Sequence, residues 1–340
     1  MNYKNLGNTD IKVSTICLGT MTWGEQNTEL EAFEQMDFSL DQGVNFWDTA
    51  ELYAVPPRKE TYGYTEEIIG NWFKKTKKRD KVILATKVAG PARDYLRNGE
   101  NSFVGKNLEN ALNNSLKRLK TDYIDLYQLH WPNRGSYHFR SYWDYTPVKQ
   151  KESEIKDETT EIVETLFSLK KEGIIREFGL SNETCWGAMK FIEEAKKYKD
   201  FCVASIQNEY SLMCRLFDND FNELSINENV PLLAYSPLAR GLLTGKYIGN
   251  VIPDGSRLSR DDKIRKIVNN QSDLAVKAYF DIAKKHNIDP IHMALAFCRD
   301  RPFMGSVIFG ATNLSQLRHI LKGLEVKLNE DIKSNIKVLY

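Results

Sequence analysis

One stretch decides the fold of this chain: Val44-Asn45-Phe46-Trp47-Asp48-Thr49-Ala50-Glu51-Leu52-Tyr53. It begins as an apolar, strand-like run, changes character at Asp48 and reaches a phenol at Tyr53. Because side chains alternate along a strand, Phe46 and Asp48 share one face, and the carboxylate caps an otherwise apolar row. An isolated buried charge is very costly, so this carboxylate needs a partner.

Three later strand ends offer partners for Asp48. Lys87 closes the apolar run 82–86, His130 closes the run 124–129, and Ser181-Asn182 closes the run 177–180. Since the carboxyl ends of parallel strands meet at one edge, we expect these polar side chains to converge.

Strand-like and helix-like segments alternate along the chain. Residues 3–13 predict a β-hairpin around a turn-rich tetrapeptide. The clearest helix is 105–119, where Leu108, Leu112, Leu116 and Leu119 recur at helical spacing. The other predicted strands are 14–19, 44–48, 82–87, 124–130, 177–181, 203–208, 231–236 and 306–310. The other predicted helices are 29–42, 65–77, 158–171, 184–198, 216–227, 273–285, 290–300 and 313–324, followed by a polar tail.

This alternation, repeated about eight times, predicts an α/β fold: a (β/α)8 TIM barrel with the N-terminal hairpin, as one domain over residues 1–340. The alternative is an open, doubly wound sheet that binds a dinucleotide. That fold calls for Gly-x-Gly-x-x-Gly after an early strand, and residues 19–24, Gly-Thr-Met-Thr-Trp-Gly, lack the central glycine. The pattern favours the barrel.

A long insert at about 131–157 interrupts the alternation. Its first half is aromatic and its second half is charged. Loops of this length are usually functional or disordered. The aromatic half either forms an apolar wall of a substrate pocket or packs the insert onto the barrel rim, and the sequence leaves both open.

Composition narrows the class of protein. Lys+Arg 47 and Asp+Glu 46 leave a net charge of +1, which gives no electrostatic basis for binding nucleic acid or a membrane surface. The five cysteines form no CxxC pair, so free thiols in a reducing compartment are expected. The first residues lack an apolar signal segment, and no apolar run reaches membrane-spanning length. We expect a cytoplasmic protein, monomeric or weakly homo-oligomeric.

Each polar strand end also has an ordinary explanation when taken alone. Asp48 can cap the next helix, Tyr53 can pack in its loop, Lys87 can extend to the rim, and His130 can be a hydrogen-bonded core histidine. An acid, a base and two proton carriers on neighbouring strands are better explained together, as groups that carry out one reaction.

That chemistry is protonation of a carbonyl oxygen. A phenol, with a pKa of ~10, is a poor acid near neutrality unless a nearby ammonium lowers that pKa, so Lys87 is expected to do this for Tyr53. Asp48 would keep the ammonium charged, and His130 would orient the substrate carbonyl. No side chain carries hydride, so a nicotinamide cofactor is implied.

Several motifs in order now make a resemblance plain. Over nearly its whole length the chain resembles the aldo-keto reductase family, most of all its bacterial Tas-like branch. The motifs are Gly19-Thr20-Met21-Thr22, Asn45-Phe46-Trp47-Asp48-Thr49-Ala50, Val55-Pro56-Pro57-Arg58, Leu129-His130-Trp131-Pro132, Gly179-Leu180-Ser181-Asn182, Tyr235-Ser236-Pro237-Leu238, Gly241-Leu242-Leu243-Thr244-Gly245-Lys246 and Gly310-Ala311-Thr312.

The resemblance implies NAD(P)H-dependent reduction of aldehydes or activated ketones, with Asp48, Tyr53, Lys87 and His130 as the catalytic tetrad and Tyr53 as general acid. It implies that Ser181, Asn182 and Gln207 hydrogen-bond the nicotinamide carboxamide and that Tyr235 stacks on its ring. The remaining positions assigned to the cofactor are Gly19, Thr20, Ser236, Leu238, Arg240, Gly241 and Lys246, the last four for the pyrophosphate, and Gly310, Ala311, Thr312 and Gln316 for the adenosine half. Arg257, Arg260 or Arg240 would bind a 2′-phosphate, which makes NADPH the preferred cofactor.

Two positions depart from the family pattern. Phe309 stands where proline often precedes the late glycine, and Ile320 stands where an asparagine usually faces adenine. Loss of that amide removes a hydrogen bond worth about 0.5–1.5 kcal/mol, so we expect somewhat weaker cofactor binding.

Three other functions can be compared with the sequence. Some relatives in the resembling family serve as channel-associated subunits that sense the cofactor, and a protein of that kind could keep the tetrad yet turn over poorly. A lyase would use Lys87 as a Schiff base, but Asp48 would keep that amine charged. A metal hydrolase is not indicated, because the five histidines show no HxH or HExxH spacing, and no metal is expected.

Overall fold

The structure, a computed structural model, describes residues 1–91, 93–99, 102–260 and 262–339. Its strands in chain order are β1 Tyr3–Asn5, β2 Lys12–Ser14, β3 Ile16–Gly19, β4 Phe46–Asp48, β5 Ile83–Val88, β6 Ile124–Leu129, β7 Ile175–Ser181, β8 Val203–Glu209, β9 Leu232–Tyr235 and β10 Met304–Phe309. Within this part of the chain, β1 and β2 form an antiparallel hairpin, and the other strands close a barrel in the order β10-β3-β4-β5-β6-β7-β8-β9, all pairs parallel. The predicted (β/α)8 barrel is confirmed, while the single-domain assignment stays a prediction.

Helices surround the barrel. They are α1 Glu29–Asp41, α2 Tyr64–Thr76, α3 Lys106–Leu119, α4 Glu152–Lys171, α5 Cys185–Ala195, α6 Asp220–Glu228, α7 Asp262–Arg265, α8 Asn270–Lys285, α9 Pro290–Arg299, α10 Leu314–Lys322 and α11 Glu330–Val338. Local sequence explains many starts: Thr28 and Glu31 form a capping box before α1. None of the helices in the described ranges combines the length and apolar character needed to cross a bilayer.

The barrel interior is apolar at its amino-terminal end and polar at the other. Leu6, Ile11 and Val13 of the hairpin pack with interior residues such as Phe46. The turn lies against the barrel, since a Cβ on Gly7, at φ +56°, would stand 2.7 Å from the Ala204 carbonyl oxygen. The hairpin therefore closes one end, and the opposite end is left for polar groups.

The charged half of the insert forms a helix that the sequence did not predict there. α4 begins at Glu152, so the irregular insert ends at 151 and not at 157. Acidic residues in its first turn, Glu152 and Glu154, suit the positive end of the helix dipole. Ile155, four residues before the buried Thr159, continues the inward face.

The predicted polar tail was also wrong. Asn329 caps α11 by accepting a hydrogen bond from the Ile332 amide at 2.9 Å. Ile332 and Ile336, four residues apart, bury their side chains beside Leu328 in a second apolar cluster. The predicted helix 216–227 is likewise divided, into a 3-10 turn at Leu216–Asp218 and α6.

Candidate active site

The carboxyl ends of β4, β5 and β6 bring the predicted tetrad together. Asp48 is the last residue of β4, Lys87 lies in β5 and His130 follows β6 directly. Tyr53 lies in the loop after β4. The register pairs Asp48 with Ala85, and Lys87 with Gln128, which places these strand ends side by side.

The Lys87 ammonium is the centre of this group. Its Nζ donates to Asp48 Oδ2 at 2.7 Å, to the Thr49 carbonyl oxygen at 2.8 Å and to Tyr53 Oη at 3.3 Å. An ammonium has three protons to donate, and each has an acceptor. The Lys87 side chain is 0% exposed, so this geometry is shielded from water.

The second oxygen of Asp48 is bound by two carboxamides. Gln207 Nε2 donates to Asp48 Oδ1 at 2.8 Å, and Gln128 Nε2 donates to the same atom at 3.2 Å. The sequence predicted Gln207 as a ligand of the nicotinamide carboxamide and did not single out Gln128. The structure therefore gives Gln207 a contact with the tetrad, and its cofactor role stays a prediction.

Burial and the neighbouring charges act in opposite directions on the pKa values of Tyr53 and Lys87. Burial raises the pKa of the Tyr53 phenol, and the Lys87 ammonium lowers it by less. Burial lowers the pKa of Lys87, but Asp48 and Tyr53 together raise it by more. The prediction that Tyr53 has a lowered pKa is therefore wrong in this structure, because desolvation of the phenolate outweighs its attraction to the ammonium.

His130 is held neutral at the edge of the group. Burial, with a smaller contribution from Lys87, lowers its pKa well below the usual range. Its ring meets the Tyr53 ring edge-on, with centroids 5.8 Å apart. Its Nδ1 is buried and has no hydrogen-bond partner in the described structure. A neutral imidazole of this kind can orient a carbonyl without competing as a proton donor.

Residues at the carboxyl ends of β7, β8 and β9 form a hydrogen-bonded group beside the tetrad. Tyr235 Oη donates to Asn182 Oδ1 at 2.7 Å, and Asn182 Nδ2 donates to the His130 carbonyl oxygen at 2.9 Å. Ser181 Oγ donates to the Gln207 carbonyl oxygen at 3.0 Å. These four predicted positions thus meet at one end of the barrel.

The backbone after β9 turns sharply. Ser236, Arg240 and Gly241 have φ values of +55°, +59° and +97°. Leu238 lies within this turn, and Lys246 lies against it: a Cβ on Gly241 would stand 3.0 Å from the Lys246 Cε. A tight turn with an adjacent ammonium suits an anion.

Arg257 is one of the residues predicted to bind a 2′-phosphate. Among the described residues no ion pair or hydrogen bond from its guanidinium is found, and its Nε is buried. Burial and the nearby Arg240 lower its pKa to about 10, so it is still charged at neutral pH. A partly buried guanidinium that forms no ion pair with the described residues is costly, which fits a site that receives an anion. Arg260, in contrast, is exposed.

The segment predicted to bind the adenosine half is hydrogen-bonded within itself and follows β10, which packs closely against β3. Gln316 Oε1 accepts hydrogen bonds from the Thr312 amide at 2.9 Å and its hydroxyl at 3.1 Å. Gly310 is exposed and Ala311 is buried. Thr20 Oγ1 donates to the Asp48 carbonyl oxygen at 2.9 Å, and Gly19 lies so close to β10 that a Cβ would meet the Phe309 carbonyl oxygen at 3.1 Å.

Ile320 does not face an open adenine site. It is 4% exposed and packs in the main core. The expectation of weaker cofactor binding stays a prediction.

The aromatic insert lies over the ends of β7 and β8. Arg140 donates to Glu209 Oε1 at 2.9 Å, and Arg240 reaches the other oxygen of the same carboxylate at 3.5 Å. Ser136 Oγ donates to the Asn182 carbonyl oxygen at 2.9 Å. The insert therefore contacts the elements that carry the candidate site.

Sequence reasoning missed several buried charges beside the site. Glu51 accepts from the Ala89 amide at 2.9 Å and pairs with Arg97 at 2.5 Å, which ties the Tyr53 loop to the segment after β5. Glu209 joins the insert to the turn after β9. The available signal was the same for both: a carboxylate at or just beyond a strand end.

Comparison with known proteins agrees with this geometry. The family model described as "Aldo/keto reductase family" matches residues 15–340. The chain is 41% identical to Protein tas of Escherichia coli, over 100% of this chain and 98% of that protein. It is 34% identical to the uncharacterized oxidoreductase YrpG of Bacillus subtilis, over 98% of this chain and 94% of that protein.

A further relative is a probable voltage-gated potassium channel subunit beta of Arabidopsis thaliana, at 30% identity over 96% of this chain and 92% of that protein. The family match covers nearly the entire chain, and the barrel carries polar groups at its strand ends. The chain belongs to the aldo/keto reductase family, on the branch of Protein tas, and is an NAD(P)H-dependent oxidoreductase.

Proposed function

We propose that this protein reduces aldehydes or activated ketones to alcohols with NADPH, in the cytoplasm, with Tyr53 as the general acid. The observation that carries the proposal is the contact of Lys87 Nζ with Tyr53 Oη at 3.3 Å and with Asp48 Oδ2 at 2.7 Å. A buried ammonium beside a phenol stabilises the phenolate that remains after proton donation.

The residues present fit a dinucleotide. The guanidinium of Arg257, which forms no ion pair with the described residues, suits a phosphate, and the turn through Arg240 and Gly241 lies next to it. Ser181 and Asn182 lie at the end of β7, where Asn182 donates to the His130 carbonyl oxygen, and these two residues suit the carboxamide. When bound, NADPH would supply the hydride that no side chain provides.

The chain's own residues then handle the proton. Tyr53, kept protonated by burial, donates its hydroxyl proton to the substrate oxygen. Lys87 stabilises the resulting phenolate, and Asp48 keeps Lys87 charged. His130, kept neutral by burial, orients the carbonyl by hydrogen bonding.

Replacement of Tyr53 tests the proposal. Tyr53→Phe removes the donated proton and leaves the ring, so we expect kcat to fall by about 10²–10⁴-fold while NADPH affinity is retained. The measurements are NADPH consumption across a panel of carbonyl compounds and fluorescence titration of the cofactor.

The matched control is Tyr198→Phe, which removes a phenol oxygen that donates to Glu164 Oε1 at 3.3 Å. Its turnover should equal that of the wild type. Turnover by Tyr53→Phe close to the wild-type rate would show that another group is the acid.

The similarity to a probable potassium channel subunit beta favours one alternative, a cofactor-sensing subunit with little turnover. That role predicts negligible activity on a broad aldehyde panel together with a tight membrane partner in a pulldown. Substantial turnover without such a partner favours the reductase.

A further inference from the structure

Two histidines and an aspartate from two helices meet away from the tetrad. Asp289 caps α9, His292 lies in the first turn of α9, and His319 lies in α10. Each offers one ligand atom, an imidazole nitrogen or a carboxylate oxygen, and these atoms lie within 4.8 Å of one another. His319 Nε2 is 3.1 Å from Asp289 Oδ2.

The aspartate is positioned by its cap. Asp289 Oδ1 accepts from the Ile291 amide at 2.8 Å and from the His292 amide at 3.1 Å. This leaves Oδ2 for the contact with His319. The carboxylate thus keeps one oxygen for the helix and presents the other to the cluster.

The His292 ring is positioned as well. Its Nε2 is 2.8 Å from the His319 carbonyl oxygen, so Nε2 carries the proton and Nδ1 keeps its lone pair. Metal-binding histidines commonly donate the other ring nitrogen to a backbone carbonyl in this way. The ring also lies against Gly323, where a Cβ would stand 2.3 Å from the His292 Cδ2.

We propose that Asp289, His292 and His319 bind a divalent transition-metal ion of the Zn²⁺ class and so link α9 to α10. Imidazole nitrogen with one carboxylate suits Zn²⁺, whereas Mg²⁺ and Ca²⁺ prefer all-oxygen sites. Three protein ligands leave a position for water, as in other three-ligand zinc sites.

The ligands must close slightly on the ion. Ligand distances of about 2.0–2.2 Å place neighbouring ligand atoms ~3.4 Å apart in a tetrahedral site. His319 and Asp289, whose side chains are 43% and 34% exposed, have room for that adjustment. The site was not visible as a sequence motif, because His292 and His319 are separated by 27 residues.

Calorimetric titration of the full chain with Zn²⁺ tests the proposal. Cys185 and Cys202 are partly exposed thiols, so the titration is done in a Cys185→Ser, Cys202→Ser background to remove competing ligands. One site should be seen. His292→Ala and His319→Ala should each weaken its affinity more than about 10-fold.

Two further variants make the test specific. Asp289→Asn keeps a good helix cap but removes the anionic ligand, so it should weaken Zn²⁺ binding while the protein stays folded. His286→Ala removes a histidine outside the cluster and should leave the Zn²⁺ affinity unchanged. Zn²⁺ should raise the melting temperature of the background protein and not of the cluster variants.

Two results would overturn the assignment. One is the absence of any one-to-one Zn²⁺ site in the Cys185→Ser, Cys202→Ser background. The other is an affinity that His292→Ala, His319→Ala and Asp289→Asn leave unchanged. Mg²⁺ serves as the chemical control and should not bind the cluster.

Discussion

At the scale of single residues, the phenol of Tyr53 is subject to opposing effects. Burial raises its pKa, the Lys87 ammonium lowers it, and the Asp48 carboxylate raises it again. Burial has the largest effect, so the hydroxyl keeps its proton at neutral pH. A protonated phenol is the form that a general acid needs at the start of a reduction.

This balance predicts the pH dependence of the reaction. Since only the protonated phenol donates a proton, kcat/KM for reduction should be nearly constant from about pH 6 to pH 9. It should fall only as the pH approaches or exceeds the pKa of an ordinary phenol, ~10. Initial rates of NADPH oxidation in overlapping buffers measure this. A fall centred near neutrality would assign the proton to a different group.

Asp48, Lys87 and His130 could be anticipated because they end predicted strands, and Tyr53 because it follows one of them closely. Gln128 illustrates what the same reasoning passed over. It lies two residues before His130, on the inward face of β6, yet a neutral amide gave no chemical reason to be selected. Its hydrogen bond to Asp48 depends on distances across the barrel interior.

At the scale of elements, the insert at 131–151 is attached to the barrel by charge as well as by aromatic packing. The Arg140–Glu209 pair is 2.9 Å long, and the Arg140 side chain is 33% exposed. Tyr142 Oη lies 3.8 Å from the Cys214 Sγ. Trp143, in contrast, is 97% exposed and does not line a pocket.

Arg140→Met tests whether the insert shapes the substrate site. A partly exposed ion pair is worth up to about 1 kcal/mol, so the KM for aldehydes should rise by up to about fivefold with kcat little changed. Lys149→Met, at an exposed position of the same insert, is the control. If Arg140→Met and a deletion of the insert both keep the wild-type KM, the insert only packs on the barrel and does not shape the substrate site.

The terminal helix α11 makes a separate prediction about stability. Ile336 is 2% exposed and packs in the second apolar cluster, so Ile336→Ala should lower the free energy of unfolding by about 2–5 kcal/mol. Val338→Ala, at a residue 84% exposed, should leave it nearly unchanged. Urea titrations compare the two, and equal midpoints would show that α11 is not stably docked.

At the scale of the whole molecule, buried neutral histidines make the fold sensitive to acid. Burial lowers the pKa of His138 to about 4, although its hydrogen bond to the Glu183 carbonyl opposes this. In the unfolded chain the pKa of this histidine is ~6.5. Between the folded and unfolded pKa values, the unfolded chain therefore binds more protons than the folded chain. Stability from this residue is therefore lost as the pH falls below ~6.5, until the folded state is protonated near 4.

His138→Gln should remove that loss. Between about pH 4 and pH 6.5, the slope of the unfolding free energy against pH should decrease by about 1.4 kcal/mol per pH unit relative to wild type. Chemical denaturation at several pH values measures it, with His286→Gln as the control. The same slope in wild type and His138→Gln would mean that His138 titrates normally in the folded protein.

The amino-acid sequence by itself determined the alternation of strands and helices, the hairpin, and which polar residues end which strands. These features follow from period, capping and turn chemistry, which act over a few neighbouring residues. For that reason the barrel and the positions of Asp48, Lys87 and His130 were predictable. Local rules were less successful where charge hid an apolar face, as at Glu152 and in α11.

Only the tertiary structure decided how the predicted residues meet. The direction of the Tyr53 pKa shift depends on how much water burial removes, and the Gln128, Glu51 and Glu209 contacts depend on strands and loops far apart in the chain. The same is true of the Asp289, His292 and His319 cluster. Electrostatic energies and ligand geometries depend on distance and on burial, and both are properties of the folded chain.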